Sequence, residues 1–163
     1  MIHDTIGWIH TLAAVLALIT GSMILWQEKG TKLHRQVGRI YGTAMLVVCA
    51  TSFMIYRVHP SFGVLHFFAI VSSITLLLGM LPMYIKGYKN RLVAHLSWMY
   101  WSVIGLYCAF VAEILTRLPD LLGIKSGYGI FYMLIGVSAG IVSGTAGYFF
   151  RKRKVYWTTQ FGN

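Results

Sequence analysis

Charge is scarce in this chain: of its 163 residues only 11% are Asp, Glu, Lys or Arg, and Asp plus Glu supply four. Ordinary soluble domains carry about 25% charged residues, so this chain cannot cover a water-facing surface and falls outside the water-soluble class. Cysteine is almost missing, and Cys49 and Cys108 both fall inside apolar runs, which argues against a disulfide framework. No glycine-rich Rossmann or flavin signature occurs, which argues against direct use of a nicotinamide. No basic segment precedes the first apolar run, which follows acidic Asp4 and is succeeded by further runs. It reads as a retained helix and not as a cleaved signal peptide.

What is present is apolar: 57% of the residues are hydrophobic, gathered in five runs. Each is long enough for a hydrocarbon core that needs about 20 helical residues. The runs predict helices at about 6–26, 31–56, 62–85, 90–118 and 128–150, in one membrane domain covering residues 1–163. Thr31 and Asn90 are candidate N-caps, and the His59-Pro60 pair breaks the second run. Pro82 is expected to kink the third helix, and the fourth to end before Pro119.

A net charge of +10 would suggest nucleic acid in a soluble protein. Here the cations sit in loops, so the chain is expected to bind membrane lipid and no nucleic acid. Lys29, Lys32, Arg35 and Arg39 follow the first span, Lys86, Lys89 and Arg91 the third, and Arg151 to Lys154 the fifth; only Arg57, Arg117 and Lys125 lie on the other side. Cationic loops stay cytoplasmic. The expected placement is a multi-pass protein of the cell inner (cytoplasmic) membrane, with its N-terminus outside and its C-terminus in the cytoplasm.

The expected fold is all-α. Spans one-two and three-four each read histidine, apolar run, Lys-Gly, basic loop, histidine, apolar run. Such a repeat suggests two helical hairpins related by a pseudo-two-fold axis, a four-helix bundle core with a peripheral fifth helix.

Four histidines carry the functional expectation. His10 and His66 lie near the outer ends of ascending spans; His34 and His95 lie near the inner ends of returning spans. From His10 to Trp26 alone a helix climbs roughly 24 Å at 1.5 Å per residue, so His10 and His34 cannot share a site. The pairs are therefore His10 with His66 and His34 with His95, one near each face, and all four are candidate metal ligands. Neighbours on the His10 face are Gly7, Ala13, Ala14, Ala17 and Gly21; on the His34 face, Gly38 and Tyr41; near His66, Ala69 and Ser73. Shallow faces suit a flat macrocycle between helices, whereas a bare zinc ion normally takes more ligands. Two b-type haems are the expected cofactors. Close helix packing is the competing role for small residues, although ionisable groups at depth default to function. His3 and His59 are read as solvated loop residues.

The motifs His34-Arg35-x-x-Gly38-x-x-Tyr41 and His95-x-x-Trp98-Met99-x-x-Ser102 resemble the paired signatures of a widespread bacterial membrane family of unknown function. The resemblance covers spans one to four. That family often carries arginine before the serine of the second motif, where this chain has Trp101. The histidine order and the Lys32-Leu33-His34 helix start are similar to those of the cytochrome b561 family, whose members hold two haems and pass electrons across membranes. This resemblance implies haem and an architecture in which four ligands alternate between the two sides.

The expected function is thus a di-haem b-type cytochrome relaying electrons across the membrane, an oxidoreductase if the chain is an enzyme. A quinol, superoxide or a ferric complex would serve as donor or acceptor. Arg35, Arg39 and Arg91 at the inner mouth, and Arg57 and Arg117 at the outer, are candidate propionate partners beside a plain boundary role; Tyr41 and Trp98 join the cofactor-binding set through the motifs. Glu113 stands five turns after His95. It is the one candidate catalytic residue, as a proton acceptor or quinol ligand, unless it pairs with Arg117 at i+4. Gly136, Gly140 and Gly144 form a ridge expected to pack within the chain or against a second copy. The tail RKRKVYW is expected along the inner headgroups. Two other classes compete: a protein that binds or transports a bare metal ion, and a non-catalytic accessory subunit docking through the glycine ridge.

Overall fold

Apolar runs bounded by Gly, Pro and capping residues fold as helices, and five of them do so here. The computed structural model of the protein describes residues 5–55, 63–123 and 128–162. The helices are α1 (Thr5–Trp26), α2 (Lys32–Ser52), α3 (Val64–Tyr84), α4 (Arg91–Leu121) and α5 (Tyr128–Phe161), with no strand among the described residues. α1, α3, α4 and α5 are long and apolar enough to cross a membrane. α2 carries Lys32, His34, Arg35, Gln36 and Arg39 in its first eight residues and is too polar on average to join them. Arg57, His3, His59 and the His59-Pro60 break lie outside the described residues.

The helices fall into two compact units, Met1–Leu76 and Leu77–Asn163, with the division inside α3. In the first unit α1 and α2 form an antiparallel hairpin. It turns at Gly30, whose φ of +82° is the left-handed conformation that glycine adopts without a Cβ clash. Thr31 caps α2 as its sequence position suggests, its Oγ1 accepting from the His34 backbone N–H at 3.1 Å. Ala17, Thr20, Gly21 and Ile24 are the buried face of α1; Val37, Tyr41, Ala44, Met45 and Val48 are buried on α2. α2 ends at Ser52, short of the expected residue 56. Thr51 and Ser52 bend back to bond the Val47 and Val48 carbonyls, and a turn follows.

The second unit is built on α4. The last part of α3 packs against it at Gly79 and Met99, and α5 runs along it through Tyr100, Cys108, Ser143 and Ala146. The fifth helix is therefore not peripheral to its unit. Asn90 stands at the α4 N-cap in the left-handed region (φ +53°) and makes no side-chain cap, unlike Thr31. The helix also passes Pro119 and ends two residues later. Proline removes one N–H donor, and so near the end of a helix little remains to break; the Leu122 N–H still reaches the Leu118 carbonyl at 3.0 Å.

α5 runs to Phe161, eleven residues beyond the expected end at 150. The basic tetrapeptide Arg151–Lys154 is helix-compatible, and Trp157, only 3% exposed, is fastened against Tyr100 and Phe150 at ring separations of 6.2 and 6.3 Å. The tail is an extension of α5 and not a separate strap.

Candidate functional site

The two sequence motifs become two helix stripes. His34, Gly38 and Tyr41 stand at i, i+4 and i+7 on α2; His95, Met99 and Ser102 repeat that spacing on α4. Such residues share a face. Tyr41 and Ser102 are 0% exposed and Met99 6%, so each stripe is core in its own unit, and the histidine opens it.

On α1, His10 is half-buried and its Nδ1 lies 2.8 Å from Thr51 Oγ1 on α2. Thr51 Oγ1 also bonds to the Val47 carbonyl at 2.7 Å and the Val48 carbonyl at 3.1 Å. A hydroxyl has one hydrogen and two lone pairs, and carbonyls can only accept. The Thr51 hydrogen is therefore spent on the α2 backbone, and His10 Nδ1 is the donor. In the neutral imidazole this leaves the lone pair on Nε2.

His95 shows the same state by a different route. Its Nδ1 stands 2.7 Å from the Gly79 carbonyl oxygen of α3, so Nδ1–H again donates and Nε2 carries the lone pair. Gly79 makes the approach possible: a Cβ there would lie 2.7 Å from Met99 Sδ and 3.2 Å from the Met99 backbone N. Pro82, with no N–H, deprives the neighbouring Leu78 carbonyl of its helical donor, and the adjacent Gly79 carbonyl is the one His95 takes. In both units a histidine donates from Nδ1, which in the neutral ring puts the lone pair on Nε2, the arrangement that outer-sphere partners impose on metal-ligating imidazoles.

His66 is built differently. It is 6% exposed, and the Gly63 backbone N–H donates to its Nδ1 at 3.2 Å while the Gly63 carbonyl accepts from the His66 N–H at 3.0 Å. With Gly63 as N-cap and His66 at N3, this is the N3 half of a capping box, with imidazole in the usual place of Glu or Gln and the Gly63 main-chain carbonyl in place of a capping side chain. An imidazole accepting at Nδ1 carries its neutral-state proton on Nε2, the opposite of His10.

Depth separates the two as well. His10 meets Thr51, and Cys49 of α2 lies beside Ser73 of α3. Thr51 is then level with about residue 71, and His66 lies roughly 7 Å further toward the α3 start at 1.5 Å per residue. His34 is buried at 9% exposure at the other end of the α1–α2 hairpin from His10, as its position in the sequence implies.

The small face of α1 divides. Ala17 and Gly21 are buried and serve helix packing in the hairpin, while Gly7, Ala13 and Ala14 around His10 stay half-buried. Arg35, Arg39 and Arg91 are exposed, and Trp98 is 37% exposed. Glu113 forms the i+4 ion pair, Arg117 Nη2 standing 2.6 Å from its Oε1. On the glycine ridge, a Cβ at Gly136, Gly140 or Gly144 would meet nothing within 4 Å among the described residues of its own unit. Among the described residues no group of three or more His, Cys, Asp or Glu side chains is gathered as a bare-ion site would need.

Thr51 and Gly79 are the site residues that the sequence did not single out; a threonine and a glycine in apolar runs carry no motif of their own.

A family model described as "Predicted membrane protein (DUF2306)" matches residues 7–150. No curated protein and no solved structure matches the chain.

Proposed function

The chain belongs to this family of predicted membrane proteins, and we propose that it is a b-type cytochrome relaying electrons across the membrane, with haem b held through His10 near the outer face and through His95 near the inner face. The observation that carries the reading is the shared Nδ1 contact of those two histidines, each facing an acceptor, which in a neutral ring puts the lone pair on Nε2. That donor set fits haem iron, and the half-buried Gly7, Ala13 and Ala14 leave a shallow face beside His10. Haem, when bound, supplies the one-electron chemistry; the protein supplies oriented imidazoles and an apolar surround. His66 fits the iron poorly while it caps α3, because Nδ1 would first have to release the Gly63 N–H. His34 remains a candidate ligand in its own unit. Arg35, Arg39 and Arg91 remain candidate partners for propionates. Quinol, superoxide or a ferric complex would serve as donor or acceptor.

We read all five helices as spans. The bond between His10, near the start of α1, and Thr51, at the end of α2, supports α2 accompanying α1 along its length. That gives an inner-membrane protein with the N-terminus outside and the C-terminus in the cytoplasm, as the cationic loops favour. A second reading, an accessory subunit docking through α5, draws on the open ridge of Gly136, Gly140 and Gly144.

The test is a dithionite-reduced minus oxidised spectrum of the purified full chain, with a pyridine haemochrome count per chain. A b-type α-band lost in part in His10→Ala and in part in His95→Ala is the expected result. A chain without a Soret band, or one whose haem content neither substitution changes, would sink the cytochrome reading.

A further inference from the structure

We infer that Thr51 is a positioning residue for His10: its hydroxyl, spent as a donor on the α2 backbone, fixes His10 in the Nδ1–H tautomer so that Nε2 is the atom offered to a ligand. The clause that the ligand is haem iron rests on the function proposed above; the tautomer does not.

Three contacts meet at one oxygen. Thr51 Oγ1 lies 2.7 Å from the Val47 carbonyl, 3.1 Å from the Val48 carbonyl and 2.8 Å from His10 Nδ1. Threonine in a helix is stiff at χ1, and its hydroxyl bonds back to the i−4 or i−3 carbonyl. Thr51 is also only 9% exposed, which hinders water from supplying another donor or acceptor. Its remaining lone pairs can therefore only accept, and among the described residues the partner in reach is a ring nitrogen on the facing helix. A simple interhelical hydrogen bond would tolerate either direction. This one does not, because the α2 carbonyls consume the only hydroxyl hydrogen.

The second unit reaches the same end with a backbone group, since the Gly79 carbonyl can only accept from His95. Two independent devices, one a side chain and one a main-chain oxygen, give two histidines the same tautomer. His66, whose Nδ1 accepts a backbone N–H, shows that the fold does not impose this state on every histidine.

An acceptor on Nδ1–H also makes the imidazole more basic, and losing such a partner typically costs 10–100-fold in metal affinity. Thr51→Val keeps the branched shape and removes the oxygen; Thr51→Ser keeps the oxygen. The experiment is ¹⁵N-histidine NMR of the full chain in detergent before haem loading, with the His10 signals assigned by their loss in His10→Gln, followed by haem titration of each variant. In the native chain His10 is expected to show a protonated Nδ1 and an unprotonated Nε2. In Thr51→Val the signals should shift toward protonated Nε2, haem affinity should fall about 10–100-fold and the midpoint potential should rise. Thr51→Ser should restore all three.

A native His10 protonated at Nε2, or a tautomer that Thr51→Val leaves unchanged, would overturn the assignment. The native spectrum decides even if the valine variant does not fold. A chain whose tautomer responds as expected but which takes up no haem would count against the cytochrome and still support the role of Thr51.

Discussion

At the scale of single residues, Gly79 is a tight point of the second unit, where α3 meets α4. Alanine there would place its Cβ 2.7 Å from Met99 Sδ, 3.1 Å from Met99 Cγ and 3.2 Å from the Met99 backbone N. The sulfur can swing away, but the backbone nitrogen cannot, so α3 must move off α4 and lengthen the 2.7 Å bond from His95 to the Gly79 carbonyl. Gly79→Ala should cost about 1–3 kcal/mol, the usual range for overpacking, in reversible detergent unfolding followed by circular dichroism, and should reduce haem bound through His95. Adding Met99→Ala should recover part of the stability, since it removes two of the three close contacts; an unchanged Gly79→Ala would show that the helices are not held at this distance. The partner of each histidine was within reach of the sequence in one respect. Gly79 and His95 stand eight residues either side of Gly87, and His10 and Thr51 are nearly equidistant from Gly30. Both glycines are left-handed turn residues, φ +79° and +82°, so folding each hairpin at its Lys-Gly pair and counting back finds the contact. What the count could not yield is the direction of the bond at His10, which depends on where Thr51 spends its hydrogen.

At the scale of elements, the existence of all five helices was legible, because each apolar run is long and interrupted by turn residues. Their ends were less so. α5 outruns its apolar stretch because Trp157 finds a buried place beside Tyr100 and Phe150, a tertiary contact no local pattern encodes. The start of α3 bears most on function. A histidine at N3 of a capping box looks in sequence like any histidine at the mouth of a span. The structure gives it the backbone N–H of Gly63, and a capping interaction of this kind is worth about 0.5–2 kcal/mol. His66→Gln preserves an acceptor of similar reach. It should keep stability within about 0.5 kcal/mol of the native chain, whereas His66→Ala should lose about 1 kcal/mol. Haem content should be native in the glutamine variant; loss of haem there, equal to that in His10→Ala, would return His66 to the ligand set. Glu113 and Arg117 make the opposite case, in which the i+4 spacing alone foretold the pair. With both partners partly exposed it contributes little to stability.

At the scale of the whole molecule, one question of parity decides where the basic residues sit, and it turns on α2, the helix too polar to be assigned to the membrane by composition. Suppose α2 lay on the inner surface and only the other four helices crossed. Lys29, Lys32, Arg35 and Arg39 would stay inside, but the segment Lys86–Arg91 and the run Arg151–Lys154 would both be outside. Seven of the fourteen Lys and Arg residues would then lie outside, against three with α2 crossing, the wrong direction for a bias that retains Lys and Arg in the cytoplasm. With α2 crossing, all three groups are cytoplasmic. The buried stripe of α2, from His34 through Val37, Tyr41, Ala44 and Val48 to Thr51, continues over most of its length and ends on His10 of a helix that is long and apolar enough to cross. The polar residues of its first turns then lie at the inner boundary, where the charged ends of Arg35 and Arg39 can reach water along their apolar stems. α5 adds a matching feature. Its 34 residues make a helix of roughly 51 Å at 1.5 Å per residue, about 20 Å more than the hydrocarbon core takes up. The surplus carries the basic run, with Lys152 held 4.5 Å from the Tyr148 ring centre and Lys154 5.8 Å from that of Phe150. Fusions at the C-terminus separate the two topologies. Green fluorescent protein joined after Asn163 should fluoresce and alkaline phosphatase at the same point should be inactive, since the first matures in the cytoplasm and the second only outside it. Fusions placed after Ser52 should give the reverse. An active phosphatase at the C-terminus would remove α2 from the membrane, and with it the placing of His10 and His34 near opposite faces.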